Sequence, residues 1–384
     1  MNHTESELRQ MQSMPLEYKI LATQERIKAW YEGWTRFSIR NLATGEERFE
    51  TIDTRDYYAE PKISDDETIE SAYPGQVYVS FSGGKDSTVL LHIARQMYPD
   101  INAVFVNTGL EYPEIQKFVK TFDNVTILRP KMRFDEVIKT YGYPLISKEV
   151  SGKIYFARKG RKEALMAFEG KTVDGTESKY RQRYKKWRPL CSSNVPISHK
   201  CCEAMKKEPA KAYEKETGRK PILATMAVES ALRVRSWLQN GCNAFTAKRP
   251  SSQPMSFWTE QDVLQYIEEY EIPIAAVYGD IVYAENPEQM RFDSWGMDCG
   301  TEKLKTTGCN RTGCIFCGFG CHLEKEPSRF QRLKETHPRQ YAYCMNGGEY
   351  DENGIWKPNK DGLGMRHAFE ELNKIYGDDF IKYE

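Results

Sequence analysis

A short β-rich run, followed by two glycines and then a helical pattern, constrains the fold of this chain most. Residues 76–81 are mainly apolar and β-prone, Gly83 and Gly84 follow them, and a helical pattern begins at Asp86. Further strand-like and helical runs alternate at 103–107, 112–121, 125–128 and 134–141. This alternation predicts right-handed βαβ units. We therefore expect an α/β fold in which an open, parallel, twisted sheet is flanked by helices.

Composition and periodicity divide the chain into three predicted regions. Residues 1–75 begin as helix and continue, at 36–75, as an irregular insertion or a small hairpin, because that stretch is polar and rich in turn formers. Residues 76–292 form the α/β domain, with a basic insertion at about 150–190. Residues 293–384 are predicted to be a cysteine-rich, metal-binding and helical C-terminal region. The apolar stripe of the first helix consists of Leu16, Ile20, Ile27 and Trp30.

Overall charge does not indicate a partner, since the chain holds 55 basic and 55 acidic residues. Forty per cent hydrophobic and 12% aromatic residues favour a globular protein over a disordered one. There is no apolar run of the roughly 20 residues that would cross a bilayer, and the polar N-terminus is unlike a secretory signal. We therefore expect a cytoplasmic protein without membrane contact, whose ten cysteines are thiols or metal ligands.

The loop Ser82–Ser87 has the residues that an anion-binding turn needs. Its two glycines allow successive amide groups to point inward, and the helix that follows adds its positive N-terminal end. Its two serines can donate hydrogen bonds, Lys85 adds a positive charge, and Asp86 suits an accompanying magnesium ion. An ordinary strand-to-helix turn would explain the glycines but not these four polar residues. The spacing also differs from that of a Walker loop.

This loop resembles the PP-loop of the adenine nucleotide α-hydrolase superfamily and, more narrowly, of the phosphoadenosine phosphosulfate (PAPS) reductase family. Three later segments, 107–114, 229–233 and 253–267, resemble further motifs of that family, so the resemblance covers roughly residues 76–325. Two positions depart from the family pattern. Asn107 stands where aspartate is usual, and Ala227 stands where an arginine is usual.

The resemblance implies that the chain binds ATP and Mg²⁺ and directs attack on the α-phosphate, with pyrophosphate as the leaving group. Lys85, Asp86 and Arg233 would carry this chemistry, with Arg233 as a second clamp on phosphate. A surface salt bridge is the alternative role for Arg233. The residues expected to hold the nucleotide are Ser80, Ser82, Gly83, Gly84, Lys85, Asp86, Ser87, Thr108, Gly109 and Glu229.

Four cysteines between residues 309 and 321 form a candidate metal site. Their spacing is compatible with both zinc and a [4Fe–4S] cluster. The resemblance favours the cluster, since Cys201 and Cys202 lie in a segment similar to one in which adenylyl-sulfate reductases place cluster ligands. DNA phosphorothioation proteins of the DndC kind are similar in having an intact loop and comparable cysteines. The ligands implied are Cys201, Cys309, Cys314 and Cys317, and Cys202 or Cys321 could replace one of them.

Three functions are compatible with the sequence. One is an ATP pyrophosphatase that adenylylates an acceptor for iron–sulfur-assisted sulfur transfer, with a sulfur donor protein as partner. The second is a phosphoadenylyl-sulfate or adenylyl-sulfate reductase, although Cys344, the last cysteine, lies outside the type of tail that the resemblance would imply. The third is a non-catalytic ATP- or redox-sensing subunit. The basic stretch 153–188, interleaved with aromatic residues, suits a nucleic-acid acceptor or a solvated insertion.

Overall fold

The structure is a computed structural model that describes residues 2–56, 59–284 and 303–384 and comprises two compact units. The first unit consists of Met1–Asn107, Tyr112–Leu128 and Ala210–Thr312. The second unit consists of Thr108–Glu111, Arg129–Pro209 and Gly313–Glu384. The predicted boundary between residues 292 and 293, and Cys299, lie outside the described residues. Within the described residues, no helix combines the length and the apolar character that crossing a membrane requires.

The first unit is built around a six-stranded sheet. Its strands are, in spatial order, Val125–Leu128, Ala103–Val106, Val77–Ser80, Lys220–Ile222, Ser251–Ser252 and Asn243–Ala244. The first five strands run parallel, and the last pairs antiparallel at the edge. The α/β fold with a mostly parallel sheet, expected from the alternation of strands and helices, is therefore confirmed.

Helices pack on this sheet, and their buried faces are apolar stripes that can be recognised in the sequence. The four residues predicted to form the stripe of the N-terminal helix are all buried in the main core. Phe81, Val89 and Trp258, which belong to the same core, are at most 1% exposed. The α-helices of the described chain are Glu5–Gln12, Leu16–Glu32, Lys85–Met97, Pro113–Val119, Phe134–Tyr141, Lys148–Arg158, Lys162–Glu169, Arg181–Lys185, Glu208–Thr217, Ala231–Asn240, Glu260–Glu269, Arg329–Thr336, Pro338–Met345 and Met365–Tyr376.

Residues 36–75 differ from the prediction of an irregular insertion or a small hairpin. Trp34–Asn41 is the central strand of an antiparallel sheet, with Glu47–Asp53 on one side and Glu67–Pro74 on the other. Ion pairs link the strands: Arg40 of the central strand pairs with Glu70 at 2.9 Å, and Arg48 pairs with Glu67, on the opposite outer strand, at 2.7 Å. The prediction failed because these strands are mostly half-exposed and polar, so they lack the apolar alternation that marks a strand in sequence.

The second unit brings together segments that are far apart in sequence. Leu145–Ile146 pairs in parallel with Gly318–Phe319, and an isolated bridge joins Tyr143 to Ile197. The C-terminal helices pack through buried aromatic rings such as those of Phe330 and Phe369, whose centroids are 5.0 Å apart. Two further pairs of short strands, Ile281–Tyr283 with Leu304–Thr306 in the first unit and Glu349–Tyr350 with Trp356–Lys357 in the second, complete the described sheets.

The predicted basic insertion at about 150–190 is folded over much of its length. It contains most of the helix Lys148–Arg158, and two shorter helices follow that one. Ile154, Phe168 and Trp187 are at most 4% exposed, so this stretch contributes side chains to a core. The stretch is therefore part of the folded second unit.

Candidate functional site

The glycine loop lies where an open parallel sheet usually binds its ligand. It follows the carboxyl end of Val77–Ser80, the strand between Ala103–Val106 and Lys220–Ile222. The chain connects this strand to Ala103–Val106 on one side, whereas Lys220–Ile222 enters on the other side from a distant part of the sequence. A crevice opens at such a switch point, beyond the carboxyl ends of the strands. The loop after the first strand and the segment after Lys220–Ile222 both lead into this region.

Gly83 is required by the shape of the turn. Its φ angle is +71°, in the left-handed region that favours glycine. A Cβ atom at this position would lie 2.8 Å from methyl carbons of both Ile115 and Val119. The turn is therefore packed closely against the helix Pro113–Val119, which fixes the path of the loop.

Hydroxyl groups of the protein hold several amides of the loop. The Ser82 amide donates to Ser87 Oγ at 3.1 Å, and the Gly84 amide donates to Ser82 Oγ at 3.3 Å. The Lys85 amide donates to the hydroxyl oxygen of Tyr278 at 3.2 Å. Burial raises the pKa of Tyr278 to about 12, so this hydroxyl remains protonated. An incoming phosphate must displace these hydroxyls from the amides.

Lys85 is enclosed by the first unit. The residue is 3% exposed, and its Nζ donates to the carbonyl oxygen of Asn310 at 2.7 Å and lies 3.0 Å from Glu260 Oε1. The buried ammonium group therefore has one acidic and one neutral partner within 3.0 Å, and Asp86 Oδ1 lies 3.9 Å from it. A bound phosphate would compete with both partners for this cation.

Charged side chains surround Asp86, next to the loop. Its Oδ1 is buried and accepts no hydrogen bond, and burial raises the pKa of this carboxyl group, although Lys85 and Arg311 oppose the rise. Glu229 pairs with Arg233 and, at 3.1 Å, with Arg311. The structure thus brings together the predicted residues Asp86, Glu229 and Arg233.

Arg311 was missed by sequence reasoning. It lies between two cysteines that were considered only as metal ligands, and nothing in its local sequence links it to Glu229.

The remaining predicted nucleotide residues belong to two different elements. Ser80 is the last residue of its strand and pairs with Val104. Thr108 and Gly109 belong to the second unit, where the Thr108 amide and hydroxyl both donate to the Glu111 carboxylate.

Four thiols line one apolar cavity of the second unit. They belong to Cys201, Cys202, Cys314 and Cys317. The other residues that line the cavity are Leu110, Phe134, Pro144, Met205 and Lys206. Three of the four predicted metal ligands are therefore grouped together. Cys309, the fourth, belongs to the first unit, where its amide donates to the Val277 carbonyl oxygen.

The thiols of the cavity interact with one another and with two lysines. Because Cys201 donates to the sulfur of Cys202 at 4.0 Å, the pKa of Cys201 is raised and that of Cys202 is lowered. Lys148 also lowers the pKa of Cys202. Burial acts to lower the pKa of Lys206, but its interactions with Cys314, Glu111 and Cys202 together outweigh burial, and the net shift is upward. Burial raises the pKa of Cys314 and Cys317, so Cys202 is the thiol of this cavity whose pKa is lowered.

Zinc and an iron–sulfur cluster make different demands on these thiols. Zinc holds its sulfur ligands at about 2.3 Å in a tetrahedron, which puts the sulfur atoms about 3.8 Å apart. Among the described residues, no three Cys, His, Asp or Glu side chains are placed to hold one ion. A cluster spreads its cysteine ligands over several iron atoms. Cys321 donates a hydrogen bond to the Gly318 carbonyl oxygen at 3.0 Å and does not line the cavity.

The part of the chain that carries the loop is similar to known proteins. Residues 76–145 match the phosphoadenosine phosphosulfate reductase domain. This segment is PAPS reductase-like. An adenosine 5'-phosphosulfate reductase of Bacillus cereus is 33% identical over 79 residues, which are 19% of this chain and 34% of the reductase.

Two uncharacterized proteins of Methanocaldococcus jannaschii are also similar over part of their length. One is 37% identical and the other 41% identical, each over 73 residues, or 18% of this chain. These matches cover 18% and 15% of the respective archaeal proteins. The chain therefore matches at most about a third of the length of any of these three relatives. The finer resemblance to proteins of the DndC kind remains a prediction.

Proposed function

We propose that this protein is an ATP pyrophosphatase that adenylylates an acceptor and so prepares it for sulfur transfer. The observation that carries the proposal is the loop Ser82–Ser87 at the switch point of the sheet. It combines two serines and a lysine with Asp86, a carboxylate that has a buried oxygen without a hydrogen-bond donor. A magnesium ion would give this oxygen a cation in direct contact.

The proposed reaction is a substitution at the α-phosphorus of ATP. A nucleophilic atom of the acceptor bonds to the α-phosphorus of ATP, the bond to the bridging oxygen breaks, and pyrophosphate leaves with that oxygen. Lys85 and the loop amides would stabilise the charge on the leaving pyrophosphate. Arg233 and Arg311 both form ion pairs with Glu229 in this structure. When the nucleotide binds, they would turn towards its phosphate oxygens. Asp86 would hold the magnesium ion.

The thiol cavity would serve the second half of the reaction. Cys201, Cys314 and Cys317, with either Cys309 or Cys202, would hold a [4Fe–4S] cluster, and zinc is the alternative metal. Such a cluster, when bound, supplies redox chemistry for handling sulfur. Lys206 lies beside the thiols and would offset the negative charge that they bring. A sulfur donor protein and a nucleic-acid acceptor are the partners that we propose.

A reductase acting on an adenylyl-sulfate compound is the second candidate. It is supported by the similarity to the Bacillus cereus enzyme and by the place of the Cys201–Cys202 pair in the cavity. Such an enzyme also binds an adenine nucleotide, but it has no pyrophosphate to release. The two candidates therefore differ in their products.

The distinguishing experiment measures both products with one anaerobic preparation. The protein is incubated with MgATP and single-stranded oligonucleotide, and pyrophosphate is measured. In parallel it is incubated with adenosine 5'-phosphosulfate or its 3'-phosphorylated form and a dithiol reductant, and sulfite is measured. Pyrophosphate without sulfite supports the proposed function, and sulfite without pyrophosphate supports the reductase. Bound but intact ATP with no sulfite would reject both and indicate a sensing subunit.

A further inference from the structure

A groove on the second unit is not used by the chemistry described above. It lies between the helices Lys148–Arg158 and Lys162–Glu169 and has a volume of about 490 Å³. This is within the range of about 300–1,000 Å³ that is typical of small-molecule sites. Gly152 and Ala164, both buried, also line it.

The groove combines positive charge with an exposed aromatic ring. Lys148, Lys153 and Arg161 line it, together with Phe156, whose side chain is 37% exposed. An exposed phenylalanine among cations is a suitable platform for a base, since bases stack on aromatic rings while cations bind the phosphates beside them. The groove therefore offers both contacts that a nucleotide needs.

Two glutamates also line the groove, and one of them is already neutralised. Glu149 pairs with Arg183 and accepts a hydrogen bond from Tyr184. Glu163 is the other. The groove is lined by three basic and two acidic side chains. Because Arg183 already neutralises one of the two carboxylates, the groove is positively charged.

One residue links the groove to the thiol cavity within the same unit. Lys148 lines the groove, and its positive charge acts on the thiol of Cys202. Cys202 in turn lines the cavity with Cys201, Cys314 and Cys317. Lys148 is therefore near both the groove and the thiol cavity.

We propose that this groove binds a nucleotide unit of the acceptor, with its base on Phe156 and its phosphates on Lys153 and Arg161. The proposal deepens the proposed function, on which it rests for the identity of the acceptor. The unit can come from a single-stranded nucleic acid or from a free nucleotide, because both present the same base and phosphate. The length of the basic stretch favours the nucleic acid.

Fluorescence anisotropy with a labelled single-stranded 12-nucleotide oligomer, as DNA and as RNA, tests the proposal. Phe156→Ala should weaken binding about five-fold or more, because a base–aromatic stack is lost. Lys153→Ala and Arg161→Ala should each weaken binding at low salt. Each should also reduce the slope of log affinity against log salt concentration by about 0.7, the value for one phosphate contact on a single strand. Lys360→Ala, an exposed lysine of the same unit outside the groove, is the matched control.

Binding measurements on two variants distinguish a failure of this proposal from a failure of the proposed function. Oligonucleotide binding by Lys85→Met protein should be unchanged, and MgATP binding by Phe156→Ala protein should be unchanged. Binding of a fluorescent AMP derivative that Phe156→Ala weakens, without binding of the oligomers, would support the groove with a free nucleotide as its ligand. If neither ligand binds, or if the groove variants bind as well as Lys360→Ala does, the proposal is overturned, whatever the result with ATP.

Discussion

The ammonium group of Lys19 lies 2.7 Å from both carboxylate oxygens of Asp262. Both residues are buried, and the same carboxylate accepts a hydrogen bond from the Thr259 amide at 2.6 Å. The pair thereby joins the helix Leu16–Glu32 to the start of the helix Glu260–Glu269. It fixes the N-terminal helix to the element that carries Glu260, a partner of Lys85.

We expect Lys19→Met to lower the free energy of unfolding by about 3 kcal/mol, because it leaves a buried carboxylate without its cation. Chemical denaturation measures this change. The double variant Lys19→Met/Asp262→Asn should recover most of the loss, since the amide keeps an acceptor for the Thr259 cap without a charge. A double variant as unstable as the single one would show that the pair acts by packing alone.

Asp86→Asn should stabilise the ligand-free protein by about 1 kcal/mol at neutral pH, because it removes a charge whose buried oxygen has no hydrogen-bond donor. Burial raises the pKa of Asp86, so the folded state holds the proton more tightly than the unfolded state does. Stability is therefore lost as the pH rises through the raised pKa, and the advantage of Asn should shrink as the pH falls towards it.

Thermal unfolding at several pH values measures this effect, and MgATP binding by the same variant should be weaker. If Asp86→Asn destabilises the ligand-free protein at neutral pH, the carboxylate has a structural partner and the magnesium role loses its support.

The cysteine set can be tested through iron and sulfide content after anaerobic purification. Ala variants of Cys201, Cys314 and Cys317 should each lose most of the iron. We expect Cys202→Ala to lose it as well, because its thiol completes the described cavity. Cys191→Ala, at a half-buried thiol outside the cavity, is the control.

Cys309→Ala addresses the ligand set implied by the sequence resemblance. If Cys309→Ala loses the iron and Cys202→Ala keeps it, the fourth ligand is Cys309. Stoichiometric zinc without iron in the unsubstituted protein would contradict the cluster itself.

The fold of the first unit was predictable because its signals are local. Val125–Leu128 has the predicted bounds, and the strand predicted at 103–107 is Ala103–Val106. Apolar periodicity and capping residues act over a few residues, so a sequence shows them directly. The sheet at 34–74 lacks such a signal, because the residues of its two outer strands are mostly polar and at least partly exposed.

The site was less predictable because its contacts are distant in sequence. The loop can be recognised from six consecutive residues, but the contact of Lys85 with Asn310 joins positions 225 residues apart. The grouping of Cys202 with Cys314 depends likewise on how the second unit folds. Spacing indicates which residues are able to bind a metal, and only the fold indicates which of them meet.

Isothermal titration calorimetry with MgATP tests the central claim, that the loop Ser82–Ser87 holds the phosphates of a nucleotide. The unsubstituted protein should bind, and Lys85→Met should raise the Kd about ten-fold or more, because a charge-assisted contact to phosphate is lost. Lys28→Met, an exposed lysine of the same unit, should bind like the unsubstituted protein, and circular dichroism should show all three folded. Equal affinity for Lys85→Met, or no binding by the unsubstituted protein, would contradict the account.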